Sequence, residues 1–323
     1  MKLCFAFLFC FAALLPGGEL PDREALFALP GWAPAPGYES SGNENIRGIF
    51  YDGLPYRGKP TRVFAWYGVP AKAEGKLPAI ILVHGGGGTA FRYWARLWME
   101  RGYAVLAMDT TGGVPRNNGE SGSDGSVRHP DGGPGLDRVF RDTGLPPQEQ
   151  WPYHAIGAVI RANTLLRSFP EIDPERIGVT GISWGAVIGE TAVSLDSRFK
   201  FAAMVYGCGF LGRNSSWKET EFAKMPPELV ERWLQLWDPS SYRRKTRYRS
   251  SSATEFRTGT SGPIPGGAPA VWSSRNSATP RSGWAWGTRI RRAETRRRWP
   301  PSPTRRSGAE SRFLASSRRR RKA

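Results

Sequence analysis

Five residues, Gly181-Ile182-Ser183-Trp184-Gly185, constrain this chain more than any others. They stand directly between an apolar run, Arg176 to Thr180, that reads as a strand, and Trp184 to Leu195, which reads as a helix. Flanking glycines let the backbone pass from strand to helix through a tight, strained turn, and the turn lifts the serine hydroxyl above the sheet edge. The N-terminus of the helix adds N–H groups and a dipole that favour developing negative charge. A serine in that setting is a candidate nucleophile.

The surrounding pattern agrees. Strand-like runs at Ile46 to Tyr51 and Arg62 to Tyr67 precede a regular alternation. Ala79 to Val83 and Ala104 to Met108 are continuous apolar runs, as in strands buried on both faces. Ala90 to Arg101 lies between them with helical character. Glu149 to Phe169 is a helix, Phe201 to Tyr206 a further strand, and Pro227 to Leu236 a helix. Strands alternating with helices predict an α/β fold with a doubly wound, mainly parallel sheet. Thr110 to Gln148 is polar and glycine-rich, a loop of the length usually kept for function.

A second signal is His84-Gly85-Gly86-Gly87-Gly88, at the end of the strand Ala79 to Val83. Without side chains, the N–H groups of Gly86 and Gly87 are free to point at a substrate oxygen, and with the Trp184 N–H they make a candidate oxyanion hole. A phosphate-binding glycine loop is the rival, but the G-x-G-x-x-G spacing is absent and Ser183 would go unexplained. His84 reads as a packing residue. Asp109, at a strand end, and His129, in the long loop, are candidate substrate contacts, although a strand-end aspartate also commonly caps a turn. His154 reads as a packed or capping residue. No His, Cys or Asp cluster has metal-ligand spacing, so neither metal nor cofactor is expected.

The stretch from about Gly48 to Tyr242 resembles secreted bacterial α/β hydrolases of the acetylxylan-esterase-like and dienelactone-hydrolase-like kinds. The residues carrying the resemblance are Leu82 to Gly87, Glu149-Gln150-Trp151 with Tyr153-His154, and Gly178 to Gly185. Asp196 with Arg198-Phe199-Lys200, and Trp237 to Tyr242, complete it. The resemblance implies hydrolysis of acetyl or other short acyl esters, on a small molecule or a polysaccharide, without a cofactor. A serine peptidase of the prolyl-oligopeptidase kind is one alternative, since an elbow and a glycine loop do not separate ester from amide; a non-catalytic product, either a broken reading frame or a binding protein that keeps the pocket, is the other.

The fold presents its triad in the order Ser, Asp or Glu, His. Here the three histidines, His84, His129 and His154, all precede Ser183, so neither the triad acid nor its histidine is identifiable. From Arg243 onward the composition breaks. Residues 243 to 323 hold 22 Lys and Arg against three acids, no Asp, and as Ile, Leu or Val only Ile264, Val271, Ile290 and Leu314. Such a segment buries too little apolar surface to offset an ordering entropy of roughly 1–2 kcal/mol per residue. No packed strand is therefore expected there, the closing strands and helix of the fold are missing, and the strand Phe201 to Tyr206 is left with a bare outer edge.

A displaced reading frame near Arg243 would account for the break; a genuine polyarginine arm that binds nucleic acid is the rival, and it conflicts with an exported hydrolase domain. Reading the last base of each codon with the first two of the next, Ala253 to Gly259 allows Asn-Gly-Ile-Pro-Asp-Trp. Trp284 to Ile290 allows a Gly-x-Gly run with His. A late Asp and a later His are what the resemblance calls for. The net charge of +18 belongs wholly to this stretch, because residues 1 to 242 hold 24 bases and 25 acids. It therefore does not argue for a nucleic-acid partner of the main domain.

Residues 1 to 18 read as a signal peptide: Lys2, then apolar Leu3 to Leu15, then Pro16-Gly17-Gly18. The apolar run is too short to span a bilayer, so a secreted or periplasmic protein with no membrane span after processing is expected. Of the three cysteines, Cys4 and Cys10 would leave with the peptide and Cys208 would remain, without an intrachain partner. The expected organisation is a signal peptide (1–18), an incomplete hydrolase domain (19–242), and a basic tail (243–323) that is disordered or frameshifted.

Overall fold

The structure is a computed structural model and describes residues 20–40, 44–72, 75–120, 125–207, 209–242 and 270–273. The signal-peptide segment, Cys208 and the tail apart from 270–273 lie outside the described residues, which all fall in one compact unit, Met1–Asn276.

In chain order the elements are α1 (Arg23–Phe27), β1 (Trp32–Pro34), β2 (Ile46–Asp52), β3 (Arg62–Gly68), β4 (Leu77–Val83), α2 (Arg92–Met99) and β5 (Ala104–Met108). A short hairpin follows, β6 (Gly113–Pro115) and β7 (Ser126–Arg128), then α3 (Trp151–Ser168), β8 (Ile172–Ile182), α4 (Trp184–Leu195) and β9 (Phe201–Val205). Three helices, α5 (Leu211–Asn214), α6 (Ser216–Thr220) and α7 (Pro227–Trp237), and a final strand, β10 (Ala270–Ser273), complete it.

One sheet of eight strands has the order β1-β2-β3-β5-β4-β8-β9-β10. Its centre, β5-β4-β8-β9, is parallel, and β1, β2, β3 and β10 join by antiparallel pairing. The period of two along β4 decides what each face carries. Ile81 and Val83 enter one core with Leu106, Met108 and the inner faces of α3 and α4, whereas Ile80 and Leu82 enter a second core with Trp66, Val105 and Ala95 of α2. Helices thus cover both faces, as the alternation predicted, in the α/β-hydrolase arrangement.

Two expectations are corrected. The stretch Thr110 to Gln148 is not bare loop: β6 and β7 pair from Gly113↔Arg128 to Pro115↔Ser126, so the segment folds back on itself. The outer edge of β9 is not bare either. Ala270–Ser273 pairs with it in antiparallel register, Ala270↔Met204 to Ser273↔Phe201. An unpaired edge offers a row of N–H and C=O groups to any chain that reaches it. Ala270-Val271-Trp272-Ser273 is the part of the tail where a β-branched and an aromatic residue adjoin. Average composition over 81 residues hid that local propensity.

Candidate active site

The carboxyl ends of four neighbouring strands meet at Ser183. In register, Val83 of β4 faces Met108 of β5 and Gly181 of β8, and Ile182 of β8 faces Val205 of β9. Ser183 follows β8 and caps α4 with φ 55° and ψ −120°. A non-glycine residue at such a φ is strained by an estimated 1–3 kcal/mol and persists only where its surroundings impose it. The surroundings are on hand. The Ser183 N–H donates to the Val205 carbonyl at 2.8 Å, and the Ser183 carbonyl accepts from the N–H groups of Ala186 and Val187.

The flanking glycines are required by space. A Cβ on Gly181 would stand 2.2 Å from the Gly185 carbonyl oxygen, and one on Gly185 would stand 2.1 Å from that of Val83. Gly207, just past β9, is equally confined: its Cβ would lie 2.4 Å from Cβ of Ala186. Gly207 was not singled out from the sequence, because nothing local marks a glycine whose constraint comes from another element.

The glycine loop reaches the elbow from β4. A Cβ on Gly85 would be 3.2 Å from Cβ of Ser183, and one on Gly86 would be 2.6 Å from Cδ1 of Trp184. Gly87 is left-handed at φ 73°. The Gly88 N–H closes the turn onto the Gly85 carbonyl at 3.1 Å, and the N–H groups of Gly86 and Gly87 donate to no backbone acceptor among the described residues. The structure thus brings together Ser183, Trp184, Gly86 and Gly87.

It does not bring a histidine to them. His84 is buried; its Nδ1–H donates to the Gly85 carbonyl at 2.7 Å, and its Nε2 accepts from the Thr110 N–H at 3.0 Å. That pairing makes it a brace between β4 and β5, not a proton acceptor. The Nδ1 of His129 accepts from the Asp131 N–H at 3.1 Å, and its ring lies 4.6 Å from that of Phe50. The Nε2–H of His154 donates to the Gln148 carbonyl at 2.7 Å. Its Nδ1 has no partner among the described residues.

Asp109 and His154 share a different place, a small cavity of about 20 Å³ whose walls include Arg62, Thr110 and Gly133 but not Ser183. Asp109 accepts from the N–H groups of Thr111 (2.7 Å) and Gly113 (2.9 Å) and from the Thr111 hydroxyl (3.0 Å), so its oxygens organise the turn into β6. Burial pushes its carboxyl up, but these N–H groups prevail and hold it below its ordinary value. Thr110, which holds His84 and receives the Trp151 indole N–H at 2.6 Å, joins this turn to the core of α3. Its role could not be read from the sequence, since a threonine after a strand carries no signal of its partner.

For His154, burial is the leading cause and lowers the pKa below its ordinary 6.5, against the opposing Gln148 carbonyl. Below pH 6.5 the unfolded chain takes up this proton and the folded chain resists it, so stability is full above that pH and declines beneath it. Urea unfolding at pH 7.5 and 5.0 is expected to show a smaller loss for His154→Gln than for the parent. An equal loss would mean that His154 does not titrate in the unfolding equilibrium.

Two buried aspartates past the elbow prove structural. Asp196 accepts from Nε and Nη2 of Arg198 (both 2.8 Å) and from Asn163 Nδ2 (2.9 Å). Asp238 accepts from the N–H groups of Phe210, Leu211 and Ser240, tying the segment after β9 to the end of α7. Among the described residues no group of three His, Cys, Asp or Glu could hold a metal, and no helix is long and apolar enough to cross a membrane.

A family model described as acetyl xylan esterase (AXE1) matches residues 48–250. The crystal structure of acetyl xylan esterase 1 from Thermoanaerobacterium sp. JW/SL YS485 is similar, with TM-score 0.50 and 20% identity, over 71% of this chain and 77% of that one. An acetyl xylan esterase from Paenibacillus sp. R4 gives TM-score 0.47 and 22% identity over 68% and 72%. Among curated sequences, the thiohydrolase aneE of Aspergillus aculeatus is 29% identical over 135 residues, 41% of this chain. The match spans about a third of that relative's length (34%).

Proposed function

The chain belongs to the acetyl xylan esterase (AXE1) family of α/β hydrolases, and on that premise we propose that its site is built for serine-dependent hydrolysis of short acyl esters, acetyl groups on a polysaccharide foremost. One observation carries the reading: Ser183 is held at φ 55°, ψ −120° between β8 and α4, against the glycine loop. In this reading the Ser183 hydroxyl attacks the ester carbonyl. The N–H groups of Trp184, Gly86 and Gly87 receive the oxyanion, the alcohol leaves, and water cleaves the acyl-enzyme. Each proton transfer needs a base beside Ser183, and none of the three histidines of the chain stands there. We therefore read the protein as a secreted or periplasmic esterase whose acid and base were displaced with the reading frame near Arg243.

Sequencing the coding DNA across codons 240 to 290 and expressing the frame-restored protein tests this. The restored protein is expected to release acetate from acetylated xylan and to cleave p-nitrophenyl acetate, with Ser183→Ala abolishing both. The absence of any frame giving Asp and His, or a restored protein indifferent to Ser183→Ala, would overturn it. An S-acyl substrate in the same assay separates ester from thioester preference, the chemistry named for the fungal relative.

A further inference from the structure

Among the described residues, buried tryptophans bond their indole N–H internally, with one exception beside the nucleophile. Trp66 donates to the Ala90 carbonyl (3.1 Å), Trp151 to Thr110 (2.6 Å), Trp233 to Val139 (3.0 Å), and Trp237 to Oε1 of Gln150 (2.8 Å). All four are at most 1% exposed. This is the ordinary rule for a ring that leaves water, since its one polar atom must find an acceptor. Trp184 is 9% exposed, yet its Nε1–H makes no hydrogen bond among the described residues.

Where this donor lies gives it a use. A Cβ on Gly86 would stand 2.6 Å from Cδ1 of Trp184 and 3.4 Å from Nε1, so the polar edge of the indole runs along the oxyanion loop. The ring cannot turn away. Its face is stacked on Trp217 at 4.0 Å and 19°, and Trp151 meets its edge at 5.4 Å. A donor that is held rigid, has no acceptor among the described residues and lies along the glycine loop resembles a binding group more than a packing residue.

We propose that Trp184 serves the substrate twice, through its backbone N–H and through its indole Nε1–H, which donates to an oxygen of the bound ester or of the carboxylate product. Trp217 is then a positioning residue that fixes the ring. The proposal rests on the oxyanion-hole reading above, and it concerns binding, so it does not require the chain to turn over.

The test uses the protein with ¹⁵N-labelled tryptophan and ¹⁵N-labelled glycine, with sodium acetate as probe. The Trp184 indole signal is assigned by its loss in Trp184→Phe and, independently, by its displacement in Trp217→Phe. The signals of Trp66, Trp151, Trp233 and Trp237 report whether either variant folds. In the parent, the Trp184 Nε1–H is expected to exchange with solvent faster than those four and to move saturably with acetate. Trp184→Phe should weaken acetate binding about tenfold, the scale of one hydrogen bond to a charged group. Slow exchange at Trp184 overturns the proposal. So does an acetate response at the glycine-loop amides without one at the indole, which leaves the oxyanion hole standing. No response at either place overturns both.

Discussion

p-Nitrophenyl acetate is expected to be hydrolysed by the chain of 323 residues no faster than by its own Ser183→Ala variant. In a triad hydrolase, loss of the histidine costs on the order of 10⁶ in turnover, about as much as loss of the serine. The elbow and the glycine loop cannot replace it, because a rigid set of N–H donors stabilises an anion but accepts no proton. Each histidine already has another task. His84 has both nitrogens engaged between Gly85 and Thr110. His129 is tied to the Asp131 N–H. His154 faces a cavity that Ser183 does not line. The measurement is initial rate against protein concentration for parent and variant. A clear rate in the parent that vanishes in Ser183→Ala would show that another base is recruited, with His154 the first to substitute.

Asp196→Ala is expected to destabilise the fold by about 3–5 kcal/mol, the usual cost of removing one partner from a buried ion pair. Asp196 is fully buried, and its carboxylate is the acceptor for Arg198 and Asn163 together. Arg198 also reaches the hydroxyl of Thr164 at 2.9 Å and lies over the ring of Phe27, so it links the end of α4 to α3 and α1. Removing Asp196 leaves a guanidinium without its counter-ion and a buried Asn163 without its acceptor. At roughly 2–4 °C per kcal/mol for a domain of this size, the melting temperature should fall by about 6–20 °C. Calorimetry checks it. A fall under 2 °C would mean that the pair is structurally incidental. Asp196→Asn, which keeps an acceptor, should cost less.

The pairing of β10 with β9 bears on solubility. A bare β9 edge is a template for pairing with another chain, and Ala270–Ser273 occupies that edge instead.

How much of this was legible beforehand follows from how local each cause is. The strand Ala104–Met108 and the helix Trp184–Leu195 coincide with the elements read from hydrophobic pattern, because burial on both faces and helical spacing are written in consecutive residues. Strand β8 runs longer than expected, from Ile172 rather than Arg176, because Ile172 pairs with Leu77 across a register shift that Asp173 and Pro174 interrupt. The β1 strand and the β6–β7 hairpin were missed, since three residues carry too little pattern to be seen.

By itself the sequence determined the α/β alternation, the nucleophile elbow, the glycine loop that meets it, and the lack of a histidine after Ser183. These depend on residue type and order along the chain. Only the tertiary structure decided that Asp109 shapes a turn, that His84 braces two strands, that Gly207 has no room for a side chain, and that the indole N–H of Trp184, beside Gly86, finds no acceptor among the described residues. The reason is physical. Hydrophobic period and backbone strain act over a few neighbouring residues, whereas a hydrogen-bond partner or a steric wall is supplied by residues that are distant in sequence and adjacent in the folded sheet.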